Sequence, residues 1–132
     1  PHHGEMAHLA GVDAEAVSDE PERFAIETAE KFNAVILLKS SRSLLAGPGG
    51  TLLRYTGGCS GLATGGSGDV LAGIIGGLAA RGADPLDAAA WGCWLHGHAG
   101  EILAQTVGPV GFLAREISPL IPGLLAEQCR AA

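Results

Sequence analysis

The apolar positions of this chain follow helical spacing in some stretches and short unbroken runs in others. Residues 4–9 and 13–17 predict two short helical segments, the second capped by Asp13. A longer helix is predicted to open at Pro21 and to end at Asn33. Its expected buried stripe consists of Phe24, Ile26, Ala29 and Phe32. Residues 34–38 are all apolar and partly β-branched, which is typical of a parallel strand buried on both faces.

Turn residues divide the rest of the chain. The runs 43–46 and 51–55 flank Gly-Pro-Gly-Gly and predict a β-hairpin. A glycine-rich loop over 56–68 precedes a predicted helix from Asp69 to about Arg81, which Gly82 ends. The next helix is predicted to open at Asp84-Pro85 and to run toward residue 104. A last helical stretch is expected over 111–126, with interruptions at its two prolines, Pro119 and Pro122.

Three glycines lie inside the predicted helix that follows Asp84. Each of them weakens that helix by about 1 kcal/mol relative to alanine. Glycines spaced in this way permit a neighbouring helix to pack closely, so we expect a helix contact along them. They are Gly92, Gly97 and Gly100.

The order of elements indicates an α/β fold with few strands. The chain predicts one helix, one strand, a hairpin and three later helices. The strand and the hairpin supply too few strands for a complete doubly wound sheet. We therefore interpret residues 1–132 as the carboxyl-terminal half of an α/β domain whose sheet needs a preceding βα half. The first residue is proline rather than methionine, which also favours a piece of a longer polypeptide.

Composition narrows the function classes. Of 132 residues, 47% are hydrophobic and 17% charged, so one compact core is expected. The net charge is −6 without a basic cluster, which argues against nucleic-acid binding. The longest apolar run, 70–80, is too short and too rich in glycine to span a bilayer. The three cysteines contain no CxxC pair, so neither a disulfide framework nor a zinc site is expected, and a reducing cytoplasm fits best.

The strongest chemical signal is Gly65-Gly66-Ser67-Gly68-Asp69, directly before an apolar helix. Backbone N–H groups at a glycine turn and a helix N-terminus form a seat for a phosphate or an oxyanion. These four small residues predict an anion hole, and Asp69 beside it predicts a general base. The alternative is a glycine-rich turn that Asp69 caps, with nothing bound. The GxxxxGK[ST] pattern of P-loop ATPases is absent.

Three weaker constellations carry polar side chains. Lys39, Ser40, Ser41, Arg42 and Ser43 follow the predicted strand and could contact a nucleotide phosphate, or form a solvated turn. His2 and Glu5 share a helical face and could bind a substrate or orient a water, or lie exposed at a frayed terminus.

His96, His98 and Glu101 lack the HExxH zinc pattern, so packing or capping is favoured. Trp91 and Trp94 are expected to be core or interface aromatics.

Four of these segments together resemble one family, the ADP- or ATP-dependent NAD(P)H-hydrate dehydratases of the ribokinase-like superfamily. Residues 61–75, GLATGGSGDVLAGII, look like its signature. Residues 1–6, PHHGEM, resemble its PHPGEM segment, residues 39–43 its KGxxT segment, and residues 95–101, LHGHAGE, its LHGxAG segment. The departures from the family pattern are His3 for proline, Ser40 for glycine and Gly58 for asparagine.

The resemblance implies a repair enzyme with a ribokinase-like three-layer fold, of which this chain is the carboxyl-terminal portion. Such an enzyme transfers a phosphoryl group from ADP or ATP, with Mg²⁺, to the ring hydroxyl of hydrated NADH or NADPH (the 6S epimer), then eliminates phosphate. It is a hydro-lyase that acts on small molecules, and we expect it to be cytoplasmic and homo-oligomeric. If the 132 residues were the whole protein, little or no activity would be expected.

Residue by residue, the resemblance makes Asp69 the base and a substrate contact. It places Gly65, Gly66, Ser67 and Gly68 at the anion hole, with Gly68 also touching the nucleotide. Lys39, Ser40, Ser41, Arg42 and Ser43 would line the AMP portion. His2 and Glu5 would contact the hydrated dinucleotide, with Glu5 near magnesium-bound water. Two alternatives remain: a ribokinase-like kinase for a thiazole or pyrimidine vitamin precursor, and an inactive nucleotide-binding fragment.

Overall fold

The computed structural model describes the backbone of residues 1–131 and the side chains of residues 1–130, in two compact units divided after Thr56. The first unit contains helices α1 (His3–Ala10), α2 (Ala14–Asp19) and α3 (Pro21–Phe32). Its strands are β1 (Ile36–Leu38), β2 (Ser43–Gly47) and β3 (Thr51–Tyr55), which form an antiparallel sheet in that order.

The second unit is helical in the part of the chain that the structure describes. Its long helices are α4 (Ser67–Ala80) and α5 (Pro85–Thr106), and the last described helix is α6 (Ile121–Ala131). A short 3₁₀ turn at Ser60–Ala63 precedes α4, and two more, at Ala114–Glu116 and Ser118–Leu120, lie between α5 and α6. None of the described helices combines the length and the apolar character that a membrane span requires.

Several helix ends follow the residues that predict them. The Asp13 carboxylate accepts a hydrogen bond from Ala16 N at 2.9 Å and caps α2. Asn33, with φ of 47°, ends α3 in the left-handed conformation. Gly82, with φ of 95°, donates its N–H to Ala79 O and follows α4. The hairpin is also confirmed, because Gly49 and Gly50 have positive φ between β2 and β3.

The predicted parallel strand is wrong in its pairing. Strand β1 pairs antiparallel with β2, with Ile36 opposite Ala46, and of its three residues only Leu38 is fully buried. The connection from β1 to β2 spans residues 39–42, and a parallel crossover needs a dozen residues or more. In the described chain, a parallel contact does occur at the other edge, as a single bridge between His2 and Lys39.

Each unit has its own core of apolar side chains. In the first unit α3 turns Phe24, Ala25, Thr28 and Ala29 inward. Phe32 is therefore not part of the buried stripe. As the last helical residue it is half exposed, and Lys31 Nζ lies 5.4 Å from its ring centroid. Ile26 is only partly buried. The second core consists of Leu95, Ala99, Leu103, Phe112, Ile117 and Leu124.

Three helix boundaries differ from their predicted positions. Helix α4 begins at Ser67 rather than at Asp69, because Gly66 already turns the chain with φ of 85°. Helix α5 continues to Thr106. Pro122 lies in the first turn of α6, where its missing N–H removes no helical bond, so it opens this helix instead of interrupting it.

Gly92 confirms the expected close approach of two helices. A Cβ at this position of α5 would collide with Ile75 Cγ1 of α4 and lie 3.4 Å from Ile75 Cα. Gly100 also leaves space for a neighbour, although that neighbour is Leu62 in the preceding 3₁₀ turn rather than a helix. Glycine at position 92 therefore sets how closely α4 and α5 pack.

We predict that Gly92→Ala lowers the free energy of unfolding by about 1–3 kcal/mol, because the new methyl group overpacks the α4–α5 contact. Gly76→Ala is the matched control, since Gly76 lies within α4 and a Cβ there meets no atom within 4 Å. Alanine at that position should raise stability by about 0.5–1 kcal/mol through helix propensity. Chemical denaturation measures both values, and equal effects of the two substitutions would contradict the close contact.

Candidate active site

The glycine turn at the start of α4 presents unpaired backbone N–H groups. Gly66, in the left-handed conformation, is the N-cap residue, and its carbonyl accepts from Asp69 N and Val70 N, each at 3.1 Å. Within the described chain, the N–H groups of Gly65, Gly66 and Gly68 donate to no protein acceptor. Such N–H groups at a helix N-terminus, together with the helix dipole, attract an anion.

Asp69 stands in the first turn of α4 with an exposed side chain. Among the described residues, its carboxylate has no ion pair and no hydrogen bond. It does not cap the helix, because Gly66 holds the N-cap position and no side chain caps it. The carboxylate is therefore available to a bound molecule.

Ser67 differs from its glycine neighbours because it is buried. Its N–H donates to Thr64 O at 3.2 Å, and its hydroxyl lies 2.9 Å from His96 Nε2. The same Nε2 lies 3.0 Å from the Ser67 carbonyl oxygen. The sequence predicts packing or capping for His96, and the buried ring does pack in α5 while also holding this residue of the turn. No sequence pattern links positions 67 and 96.

The start of the glycine-rich loop is also bonded to α5. Glu101 Oε1 accepts from Gly58 N at 2.8 Å, and Oε2 lies 3.0 Å from His98 Nδ1. The Cys59 thiol donates to Gly100 O. The Gly58 N–H bond, followed by the bond from His98, holds the pKa of Glu101 below its ordinary value. The His98 ring stacks on Trp94, with 5.1 Å between centroids.

In the first unit, His2 and Glu5 form a reciprocal cap at the start of α1. His2 Nδ1 accepts from Gly4 N and Glu5 N, while His2 N donates to Glu5 Oε2 at 2.7 Å. Lys39 Nζ lies 3.9 Å from Glu5 Oε2, and Lys39 N donates to Pro1 O. The His2 N–H bond, ahead of the Lys39 charge, lowers the pKa of Glu5. The structure thus brings His2, Glu5 and Lys39 together, and residue 2 is not frayed.

The turn that follows Lys39 is held by its own hydroxyl groups. Ser40 Oγ donates to Arg42 O at 2.8 Å, and Ser43 Oγ donates to Ser40 O at 3.0 Å. Ser40 N in turn donates to Ser43 Oγ. Ser41 and Arg42 are exposed at the tip. The side chains that remain available to a ligand here are therefore Lys39, Ser41 and Arg42.

The sequence also matches a known protein family. A family model described as NAD(P)H-hydrate dehydratase matches residues 1–123. The chain belongs to the NAD(P)H-hydrate dehydratase family. The resemblance inferred from the four motifs is confirmed. A relative from Xanthomonas campestris, an ADP-dependent (S)-NAD(P)H-hydrate dehydratase, is 53% identical over 125 residues, which cover 95% of this chain and 43% of the relative.

A second relative and two solved structures extend the comparison. The bifunctional NAD(P)H-hydrate repair enzyme Nnr of Moorella thermoacetica is 42% identical over 95% of this chain and 24% of that protein. The crystal structure of the Bacillus subtilis ADP/ATP-dependent dehydratase, co-crystallized with ATP/Mg²⁺, superimposes with a TM-score of 0.90 at 31% identity, covering 96% of this chain and 46% of that chain. A ribokinase-like superfamily protein from Enterococcus faecalis superimposes with a TM-score of 0.83. The predicted ribokinase-like fold is confirmed, and the chain spans less than half the length of each of these proteins.

The Glu101 bond to Gly58 predicts a pH dependence of stability. Because folding lowers the pKa of Glu101, its stabilisation is present above the unfolded pKa of about 4.3 and is lost as pH falls through the lower folded value. Glu101→Gln should therefore reduce the unfolding free energy by about 0.5–1 kcal/mol at neutral pH, with allowance for its partial exposure. This difference from the parent should vanish in acid.

The matched control for this experiment is Glu127→Gln, which changes an exposed glutamate of α6 in the same unit. It should leave the pH profile of stability unchanged. Thermal denaturation at a series of pH values from neutral to strongly acidic measures the profiles. A Glu101→Gln difference that persists undiminished in acid would contradict this role of the ionised carboxylate.

Proposed function

We propose that the complete protein carrying this chain repairs hydrated NADH or NADPH by nucleotide-dependent dehydration. The observation that carries the proposal is the turn at 65–68, where unpaired N–H groups adjoin the unpartnered Asp69 carboxylate. Family membership and the names of the matched dehydratases support the same reaction. Residues 1–132 are then the carboxyl-terminal portion of one ribokinase-like dehydratase domain.

Asp69 is the proposed base. Its carboxylate accepts the proton of the nicotinamide-ring hydroxyl, and that oxygen attacks the terminal phosphoryl group of ADP or ATP. The nucleotide leaves with one phosphate fewer, and the phosphorylated ring then loses inorganic phosphate and a ring proton, which restores the double bond. Phosphoryl transfer of this kind depends mainly on positioning and on neutralisation of charge. A general base at the hydroxyl contributes about 10²–10⁴-fold.

The glycine turn is the proposed seat of the transferred phosphoryl group. Among the described residues, the N–H groups of Gly65, Gly66 and Gly68 donate to no protein acceptor, so they can donate to phosphoryl oxygens. Ser67 contributes through the geometry of the turn, since its own N–H is occupied by Thr64 O. Gly68 is also the proposed nucleotide contact within this turn.

The remaining assignments, which follow the family resemblance, concern residues of the first unit. The turn of Lys39, Ser40, Ser41, Arg42 and Ser43 is assigned to the AMP portion of the nucleotide, with Lys39 and Arg42 as the cations. Ser40 and Ser43 contribute through the shape of the turn, since their hydroxyl groups are bonded within it. His2 and Glu5 are assigned to the hydrated dinucleotide. Magnesium, which takes oxygen ligands and keeps several waters, would be reached by Glu5 through a water and would neutralise phosphate charge. A single carboxylate is compatible with that indirect role.

The proposed setting follows from the chemistry. The partners are small molecules, namely hydrated NADH or NADPH and ADP or ATP, rather than nucleic acid. We further propose a homo-oligomer in the cytoplasm, where the reduced nicotinamide cofactors and the nucleotides are both available.

The reaction is tested by incubating the complete protein with hydrated NADPH, Mg²⁺ and either ADP or ATP. We expect the absorbance of reduced nicotinamide to return, together with release of inorganic phosphate. Parallel incubations with thiazole or pyrimidine alcohols should give no phosphorylated product. Accumulation of a phosphorylated vitamin precursor without dehydration of hydrated NADPH would instead identify a small-molecule kinase and contradict the proposal.

Asp69→Asn should lower turnover by at least about 10²-fold, because the amide cannot accept the proton. AMP affinity, measured by isothermal titration calorimetry, should stay within about twofold of the parent, because Asp69 is assigned to the ring hydroxyl rather than to AMP. A tenfold change in affinity would correspond to about 1.4 kcal/mol. Asp87→Asn is the matched control, because Asp87 is likewise the third residue of its helix and exposed. Parent-like turnover in Asp69→Asn would remove Asp69 from the mechanism.

A further inference from the structure

A buried histidine of α5 is hydrogen bonded to the middle of the glycine turn. His96 is 8% exposed, and its Nε2 lies 2.9 Å from Ser67 Oγ and 3.0 Å from Ser67 O. A carbonyl oxygen can only accept a hydrogen bond, so we assign a hydrogen to Nε2, with the Ser67 hydroxyl as a second acceptor of the same N–H. The imidazole therefore donates to the backbone of the turn.

This bond acts on a particular peptide group. The Ser67 carbonyl and the Gly68 N–H belong to the same planar unit, and in a trans peptide they point in opposite directions. The structure contains no cis peptide bond among its described residues. A donor that fixes the Ser67 oxygen toward α5 therefore fixes the Gly68 N–H away from α5, and polarises it through the shared amide.

Helix α5 holds the other end of the glycine-rich loop as well. The carboxylate of Glu101 accepts from Gly58 N, and Gly100 O accepts from the Cys59 thiol. These bonds lie at the loop entrance, whereas the His96 bond lies at its exit, next to the proposed anion seat. Of the two sets, the His96 bond is the one that reaches the amide plane of Gly68.

We propose that His96 is a positioning residue that holds the Ser67–Gly68 peptide so that the Gly68 N–H faces the transferred phosphoryl group. This inference rests on the proposed function, since it assigns a supporting residue to that same site. His96 touches neither the nucleotide nor the ring hydroxyl in this scheme. Its contribution is to the orientation of one N–H donor, and a misplaced donor or reactant costs up to about 10²-fold in rate.

The test compares His96→Leu with His96→Gln in the complete protein. Leucine fills the space without a donor, whereas the glutamine amide nitrogen lies the same number of bonds from Cα as histidine Nε2 and can donate to Ser67 O. We expect His96→Leu to lower kcat by about 10–100-fold with KM for the nucleotide within about threefold, and His96→Gln to stay within about threefold of the parent. Equal losses in both variants, or none in leucine, would overturn the proposal.

Two further variants separate positioning from folding. Cys93→Ala removes a buried side chain of α5, so it should lower Tm while keeping parent-like kcat. His96→Asn keeps a polar amide that is one bond too short, so it should lose kcat about tenfold relative to His96→Gln even if His96→Leu does not fold. A parent-like kcat in His96→Asn would contradict a positioning role. So would a loss of kcat in Cys93→Ala as large as the loss in His96→Asn.

An activity-independent measurement separates this inference from the proposed reaction. Inorganic phosphate, titrated into the isotope-labelled complete protein, should shift the Gly68 amide resonance in the parent and in His96→Gln. In His96→Asn the shift should be lost, or the apparent phosphate affinity obtained from it should be about tenfold lower. If the parent fails to dehydrate hydrated NADPH but shows this His96-dependent shift, only the proposed reaction falls. A shift of Gly68 that is the same in all variants overturns the positioning role alone.

Discussion

The left-handed turn at Gly66 is the constraint on which the rest of the second unit's chemistry depends. With φ of 85°, it starts α4 two residues before the carboxylate and leaves neighbouring N–H groups without an acceptor in the part of the chain that the structure describes. A side chain at that φ would be strained, because only glycine adopts it at little cost. The unpaired donors and Asp69 then share one helix end, where an anion and a proton acceptor can meet the same substrate.

Helix α5 provides the support that such a turn needs. Unpaired donors stabilise nothing by themselves, so the loop depends on bonds elsewhere: Glu101 with Gly58, Cys59 with Gly100, and His96 with Ser67. Gly92 lets α5 approach α4 closely, and Gly100 makes room for Leu62 of the loop. The glycines of α5 thus set how closely α4 and Leu62 approach this helix, while its polar residues hold the glycine-rich loop in place. Close packing and directional bonds together give the site one geometry.

Local signals in the sequence predict local structure well here. Asp13, Asn33 and Gly82 mark helix ends, because a capping bond or a left-handed residue acts within one turn of the chain. The pairing of β1, by contrast, depends on the position of β2. The apolar run of β1 does not reveal that the chain turns back after four residues and pairs with it antiparallel. The glycine turn and Asp69 are recognisable from spacing, whereas the bond between positions 29 residues apart, Ser67 and His96, arises only from tertiary packing.

A crystal structure of the complete protein with ADP and Mg²⁺ tests the central claim most directly, since it shows where the terminal phosphate lies. The account predicts a phosphate oxygen at about 3 Å from the N–H of Gly66 or Gly68, with the Asp69 carboxylate facing the adjoining substrate space. A terminal phosphate bound away from residues 65–68, with those N–H groups facing solvent, would contradict it.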